Sequence, residues 1–523
     1  MSTLLEDQPT LIRALLRPEA YPFACRNIEL VETHISWVFL TGDFAFKLKK
    51  PLDLGFLDFT TLEQRHHFCR EELRLNSRLA GDLYLAVVPI CGTPEHPVVD
   101  GDGEPFEYAV KMHQFDQNLL LSLQLDEGRL EPHHIDSLAE LTADLHSKVE
   151  RASADDRHGT PELAHAPCLQ NFQQLGALIR DPARLARLDA LRRWTETAFE
   201  RLKPLMGQRK REGFVRECHG DLHLGNVTQR GNEVLIFDGI EFNENFRWID
   251  VMSEVAFLFT DLEHRGRPDL AWRALNHYLE ITGDYSSLPL LGYYCLHRIM
   301  VRTKIDAFRL EQPGLDDQER QTLERELDHY FDQAEKTVQD STPSLFLTRG
   351  LSGSGKTYLS QRLLEALGAI RVRSDVERKR HFGLAPTARS NSPIDQGIYS
   401  TEATVATFER LLELAGTVLD SGYTTIVDAS FLDRKMIEPF RLLAESKNIP
   451  FLVLDLRAPS DLLRERLQQR AADPKEASEA GLDVLSAQLE RYQSLDEDYS
   501  VAIESDKELS VEELLRLLKT QPR

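Results

Sequence analysis

Gly350-Leu351-Ser352-Gly353-Ser354-Gly355-Lys356-Thr357 decides the fold of the C-terminal third of the chain. It satisfies G-x-x-x-x-G-K-[ST] at every fixed position. An apolar run, Leu345 to Thr348, precedes it and an amphipathic segment, Tyr358 to Leu367, follows it, so the glycines stand between a strand and a helix. A loop of this kind turns successive backbone N–H groups toward a phosphate, and the positive end of the next helix adds to them. Gly350, Gly353, Ser354 and Gly355 are then expected to line the phosphates. Lys356 reaches the outer ones and the Thr357 hydroxyl ligates magnesium, so ATP and Mg2+ are the expected cofactors.

Beyond the loop, apolar runs at Ile370 to Val372, Thr425 to Val427 and Phe451 to Leu456 alternate with helical segments, which predicts an α/β domain built on a parallel sheet. Asp375 follows the first run and could orient or deprotonate an acceptor hydroxyl, with Arg373, Arg378, Lys379 and Arg380 near it to hold an anionic group. Asp428 follows the second and could reach magnesium or its water; a strand-end cap followed by a solvated helix face is the competing reading of Asp375, and a strand-end turn that of Asp428. Arg464, Arg466 and Arg470 lie on one helical segment, where Arg466 and Arg470 are the candidates for a lid over the transferring phosphoryl group and surface solvation is the alternative. Taken with the Gly350 to Thr357 loop, these residues resemble the small P-loop kinases of the gluconate kinase, chloramphenicol phosphotransferase and zeta-toxin group. The resemblance implies ATP-dependent phosphoryl transfer to a small acceptor.

Upstream, His219-Gly220-Asp221-Leu222-His223-Leu224-Gly225-Asn226 sets an Asp and an Asn five positions apart, just before an apolar strand, Val234 to Phe237, that ends in Asp238. That spacing suits phosphoryl transfer: Asp221 can take the proton of an acceptor hydroxyl, Asn226 can hold magnesium, and Asp238 can bridge magnesium to the phosphates. The two segments resemble the H-G-D-x-H-x-x-N signature and the following I-D-x strand end of the aminoglycoside phosphotransferase and choline kinase-like family. The resemblance implies a two-lobed, protein kinase-like α+β fold over residues 20 to 320. It further implies that Lys47, on the second strand of a hairpin spanning Trp37 to Lys49, holds the α and β phosphates, with Glu71 or its neighbour Glu72 as its partner. His219 would brace the loop. The first hairpin lacks the glycine-rich run found in many protein kinases.

A chain of 523 residues exceeds what one core usually supports, and we divide it into a small mixed lobe at 1–115, a largely helical lobe at 116–340 and a P-loop domain at 345–523, with Ser341-Thr342-Pro343-Ser344 as the junction. A net charge of -23 argues against a nucleic-acid backbone as partner and leaves a small-molecule phosphate acceptor as the expected one. The six cysteines form no C-x-x-C pair, which suits a reducing compartment. Glu6 and the absence of a long apolar run argue against a signal peptide or a membrane span, so the expected location is the cytoplasm. The competing function is an ATP-binding regulatory or assembly protein whose kinase-like lobe senses a ligand.

Overall fold

The computed structural model describes residues 3–25, 27–312, 314–390, 392, 396–470, 480–505, 513 and 516, with the backbone alone for 3–8, 470 and 491. The chain forms two compact units, Met1–Gln174 with Glu196–Asp261, and Leu175–Thr195 with Leu262–Arg523.

The first unit carries a six-stranded sheet in the order β1-β2-β3-β6-β4-β5, antiparallel throughout: β1 (Glu29–Glu32), β2 (Ser36–Leu40), β3 (Phe44–Lys49), β4 (Tyr84–Thr93), β5 (His96–Val99) and β6 (Pro105–His113). Alternation along β3 sends Phe46 and Leu48 to one face, into a core with Phe39, Val88 and Ile90 that Leu11, Leu15 and Tyr21 close. Lys47 and Lys49 go to the other face. That face is not solvent: the helix Leu62–Asn76, started by a capping box between Thr61 and Gln64, packs on β4 and β6 through Cys69, beside Leu83, Tyr84 and Val110. Both lysines are therefore buried, at 7% and 1% exposure, and a buried charge must be paired. A short pair, β7 (Val215–Glu217) with β10 (Trp248–Asp250), and a hairpin, β8 (Val227–Arg230) with β9 (Glu233–Ile236), frame the loop that carries Asp221. This is the expected α+β architecture, an antiparallel sheet with a helix packed on one face.

The second unit holds the expected P-loop α/β sheet. Its five strands are all parallel in the order β12-β13-β11-β14-β15, from β11 (Leu345–Arg349), β12 (Ile370–Arg373), β13 (Thr425–Asp428), β14 (Phe451–Arg457) and β15 (Ser500–Glu504). The phosphate loop leaves the central strand. Its helix, Lys356–Leu367, starts two residues earlier than the apolar pattern indicates, because Gly355 at φ +90° serves as the N-cap.

Strand β12 is an edge, and the helix Pro268–Thr282 covers it. Asn276 accepts the Arg371 N–H at 2.7 Å and donates to the Ala369 carbonyl at 2.9 Å, which satisfies the groups an edge leaves open. Trp272 lies where a Cβ on Gly368 (φ +67°) would stand, 2.8 Å from its indole nitrogen. Residues 262–338 thus belong to the same compact unit as the sheet, on both sides of the segment 341–344. Among the described residues no helix is long and apolar enough to cross a membrane. Asn276→Ala leaves a buried N–H and a buried carbonyl unpaired, and we expect it to destabilise the second unit by about 3 kcal/mol in urea titrations followed by circular dichroism.

Candidate active sites

In the first unit, Lys47 Nζ lies 2.8 Å from Glu72 Oε1 and also pairs with Asp238. Lys49 Nζ lies 2.7 Å from Glu72 Oε2, also pairs with Glu241, and stands over the Phe59 ring. Burial alone would push both ammonium groups down; Asp238 and Glu72 at Lys47, and Glu241 and Glu72 at Lys49, more than offset it and hold both above the ordinary lysine value. Burial likewise raises the Glu72 carboxyl, yet the two lysines bring it to about 2. At Glu241 burial prevails over Lys49 and the carboxyl is raised.

The partner of Lys47 is Glu72, which corrects the assignment to Glu71. One residue along a helix turns the side chain through about 100°, so only one of two adjacent glutamates can face β3. Glu71 points elsewhere, 2.8 Å from Arg74 and 3.6 Å from Arg247.

Asp238 has a left-handed backbone, φ +64°, in which its N–H donates to the Tyr84 hydroxyl at 3.2 Å and the Gly239 N–H donates to Asn76 Oδ1 at 2.8 Å. The loop 219–226 is stitched to this turn. His219 Nε2 donates to the Phe237 carbonyl at 2.9 Å, His219 Nδ1 accepts the Asp221 N–H at 3.3 Å, and the Ile240 N–H donates to the His219 carbonyl at 2.9 Å. Asn226 Nδ2 donates to both the carbonyl and the Oδ2 of Asp221, at 3.0 and 3.1 Å. His223 Nε2 lies 3.4 Å from Asp221 Oδ2. A Cβ on Gly220 (φ +87°) would stand 2.7 Å from the Phe246 carbonyl oxygen, so only glycine fits. With its amide donors directed at Asp221, Asn226 keeps Oδ1 as an acceptor, and the Asp238 side chain is 40% exposed; both are hard oxygen donors of the type Mg2+ takes.

Two braces of this loop lie outside its motif. Glu254, on the helix Val251–His264, accepts the N–H groups of His219 at 3.1 Å and Gly220 at 2.6 Å and contacts His146 Nε2 at 3.2 Å; Asp261 accepts the Leu224 N–H at 2.9 Å. Full burial pushes the Glu254 carboxyl up, but His146 and the loop donors bring it to about 2. The motif spacing carries no sign of either residue. The alternation of Asp and Glu with apolar positions along 251–264 is the one available signal.

In the second unit the phosphate loop is shaped for close backbone approach: a Cβ on Gly350 (φ +144°) would stand 2.5 Å from the Leu456 carbonyl oxygen and 2.7 Å from Ser354 Oγ. Lys356 Nζ folds over the loop and donates to the carbonyls of Gly350 and Leu351 at 3.0 and 2.9 Å. Ser354 Oγ is buried with no hydrogen-bond partner among the described residues, a donor in a cradle that fits a phosphate. Asp428, 5% exposed, lies 3.1 Å from Thr348 Oγ1 and 3.2 Å from Ser360 Oγ, and Ser360 Oγ also lies 3.0 Å from the carbonyl of the half-buried Thr357. Arg373 Nε approaches Asp428 to 4.0 Å.

Asp375 is half-buried in the first turn of the helix Ser374–His381. Arg466 Nη1 reaches the Gly353 carbonyl at 3.4 Å and its Nη2 donates to the Ser505 carbonyl at 2.7 Å, so it lies against the phosphate loop; Arg464 pairs with Asp461 instead. The Arg470 side chain lies outside the described residues. The bases after β12 are engaged by protein groups: Arg378 donates to the Ile398 carbonyl at 2.9 Å, Lys379 to the Pro386 carbonyl at 3.1 Å, and Arg380 to the Glu280 and Ile281 carbonyls at 2.6 and 3.2 Å. Glu280 pairs with Arg371 at 2.7 Å and Arg373 at 3.3 Å. At the loop entry Arg349 and Asp455, both fully buried, pair at 2.5 Å.

The sequence family described as an AAA domain matches residues 345–495. The chain is similar to the uncharacterized protein Rv2004c of Mycobacterium tuberculosis, 28% identical over 487 residues, which are 92% of this chain and 94% of the relative. Among solved structures it is similar to a choline/ethanolamine kinase family protein from Mesorhizobium loti, at 11% identity and TM-score 0.39, over 64% of this chain and 95% of that one. It is also similar to a gluconokinase from Sinorhizobium meliloti, at 20% identity and TM-score 0.25, over 34% of this chain and 95% of that one.

Because the Glu254 pKa is depressed in the fold, its stabilising effect is complete above the ordinary glutamate value near 4.5 and fades as pH falls toward about 2. We expect the pH dependence of urea unfolding below pH 5 to flatten in Glu254→Gln.

Proposed function

We propose that this chain is an ATP-dependent phosphotransferase with two nucleotide sites, and that the first unit moves the γ-phosphoryl group of ATP to a hydroxyl of a small molecule. The observation that carries the reading is Lys47 bridging Glu72 of the helix and Asp238 of the strand-end turn, with the Asp221 loop bonded to that same turn through His219. Residues from four separate stretches meet there in the donor and acceptor types that phosphoryl transfer uses.

In this reading Lys47 leaves Asp238 for the α and β phosphates while Glu72 keeps its ammonium in place. Asn226 and Asp238 hold Mg2+, whose charge offsets that of the β and γ phosphates. Asp221 takes the proton of the acceptor hydroxyl as it attacks, and the amide of Asn226 fixes the carboxylate for that task. The second unit is proposed as a second phosphoryl-handling centre. There the Gly350 to Thr357 loop binds the phosphates, Thr357 and Asp428 hold Mg2+, Asp375 serves the acceptor, and Arg466 and Arg470 close over the transferred group. The boundaries at 115, 340 and 345 are proposed as the functional divisions that match these roles.

The test is incubation of the full chain with a metabolite extract and labelled ATP, followed by mass identification of labelled products. Asp221→Asn should lower the rate of first-unit product formation by about 10²–10⁴-fold, while Lys356→Ala should spare that product and remove any made by the second unit. Absence of every labelled product from the wild-type chain, or turnover indifferent to both substitutions, would count against the reading.

A further inference from the structure

The first-unit site holds more charge than the proposed chemistry uses. Lys49, its ammonium 2.7 Å from Glu72 Oε2 and paired also with Glu241, takes no part in the mechanism above, yet it is fully buried. The side chains form one alternating line, Asp238, Lys47, Glu72, Lys49, Glu241. Its two ends come from the same short turn, Asp238-Gly239-Ile240-Glu241, and its middle from the helix Leu62–Asn76.

The two lysines differ in what their outer partner can do. Asp238 is 40% exposed at its side chain, and binding of Mg2+ and ATP would draw Lys47 away from it. Glu241 is 4% exposed and Lys49 has no access to a ligand, so the Lys49 end stays closed. Glu72 has one oxygen on each lysine. Were Lys47 its only partner, Glu72 would lose its link to the Asp238 turn whenever Lys47 turned to the phosphates, and the helix would be held there through Asn76, at its last residue, which accepts the Gly239 N–H at 2.8 Å.

We propose that Lys49, through Glu241, is a positioning residue that keeps Glu72 and its helix docked on the Asp238 turn independently of nucleotide, so that Lys47 is free to exchange Asp238 for ATP. This rests on the first-unit reading above. Lys49 touches neither nucleotide nor acceptor, and the helix is set in place before ATP arrives.

Hydrogen exchange across Leu62–Asn76 in the full chain tests this without relying on turnover. With Mg2+ and the non-hydrolysable analogue AMP-PNP bound, Lys49→Met should speed exchange in this helix by about tenfold or more over wild type, whereas Lys47→Met without nucleotide should stay near wild type. Removing Mg2+ and AMP-PNP should slow exchange again in Lys49→Met, because Lys47 then bridges Glu72 to Asp238, and a loss of fold would not be reversed in this way. The double variant Lys49→Met/Glu241→Leu removes both charges of the outer pair, leaves no orphan between them and should show the same pattern. Wild-type exchange in nucleotide-bound Lys49→Met and in the nucleotide-bound double variant, or a loss of protection in nucleotide-free Lys47→Met, would overturn the proposal. A wild-type chain that binds no AMP-PNP would instead defeat the first-unit reading, and faster exchange in nucleotide-free Lys47→Met/Lys49→Met than in Lys47→Met alone would still decide the role of Lys49.

Discussion

A single carboxylate with no contact to water, Glu72, organises the first unit. It forms an ion pair with one lysine on each oxygen, and both lysines come from the same face of the same strand because their positions differ by two. A buried charge left without its partner is strongly destabilising, so strand, helix and the 238–241 turn are held to the geometry that satisfies all of them together. This constraint sets the spacing of the site. The turn it fixes also carries Phe237 and Ile240, whose backbone groups hold His219, and His219 in turn orders the loop bearing Asp221 and Asn226. Glu254 closes the same loop from behind by taking two of its N–H groups.

The second unit depends on how its sheet edge is finished. A parallel sheet that ended in an open β12 would offer unpaired N–H and C=O groups, and the helix Pro268–Thr282 supplies the missing partners with one asparagine. Glu280 of that helix gathers Arg371 and Arg373, and the last carbonyls of the helix receive Arg380, where a cation is favoured by the helix dipole. Arginines that look available for an anion are thereby employed in joining the helix to the sheet. Arg373 alone among them also approaches the acid at the end of β13.

What was legible in the residues was whatever is local in sequence. The phosphate loop, the Asp221 to Asn226 spacing and the β2–β3 hairpin each place their chemistry within a few positions, and the parallel order of apolar runs after Leu345 announces the sheet. Choices that depend on helix phase or on distant packing were not. Glu71 and Glu72 are adjacent and chemically identical, and only the orientation of the helix on β4 and β6 separates them. Lys47 and Lys49 share one face, and alternation cannot reveal that a helix roofs it and buries both. The bases at 378–380 resemble an anion site until the carbonyls they bind are seen. The segment 341–344 has the composition of a linker, yet helices before it and strands after it share one compact unit.

The central claim is that the chain carries two separate nucleotide sites, one built on Lys47 and one on Lys356. Isothermal titration of the full chain with AMP-PNP in excess Mg2+ tests it most directly. The account predicts two molecules bound per chain, falling to one in Lys47→Met and to one in Lys356→Ala. A wild-type stoichiometry of one, or a stoichiometry that Lys47→Met leaves unchanged, would contradict it.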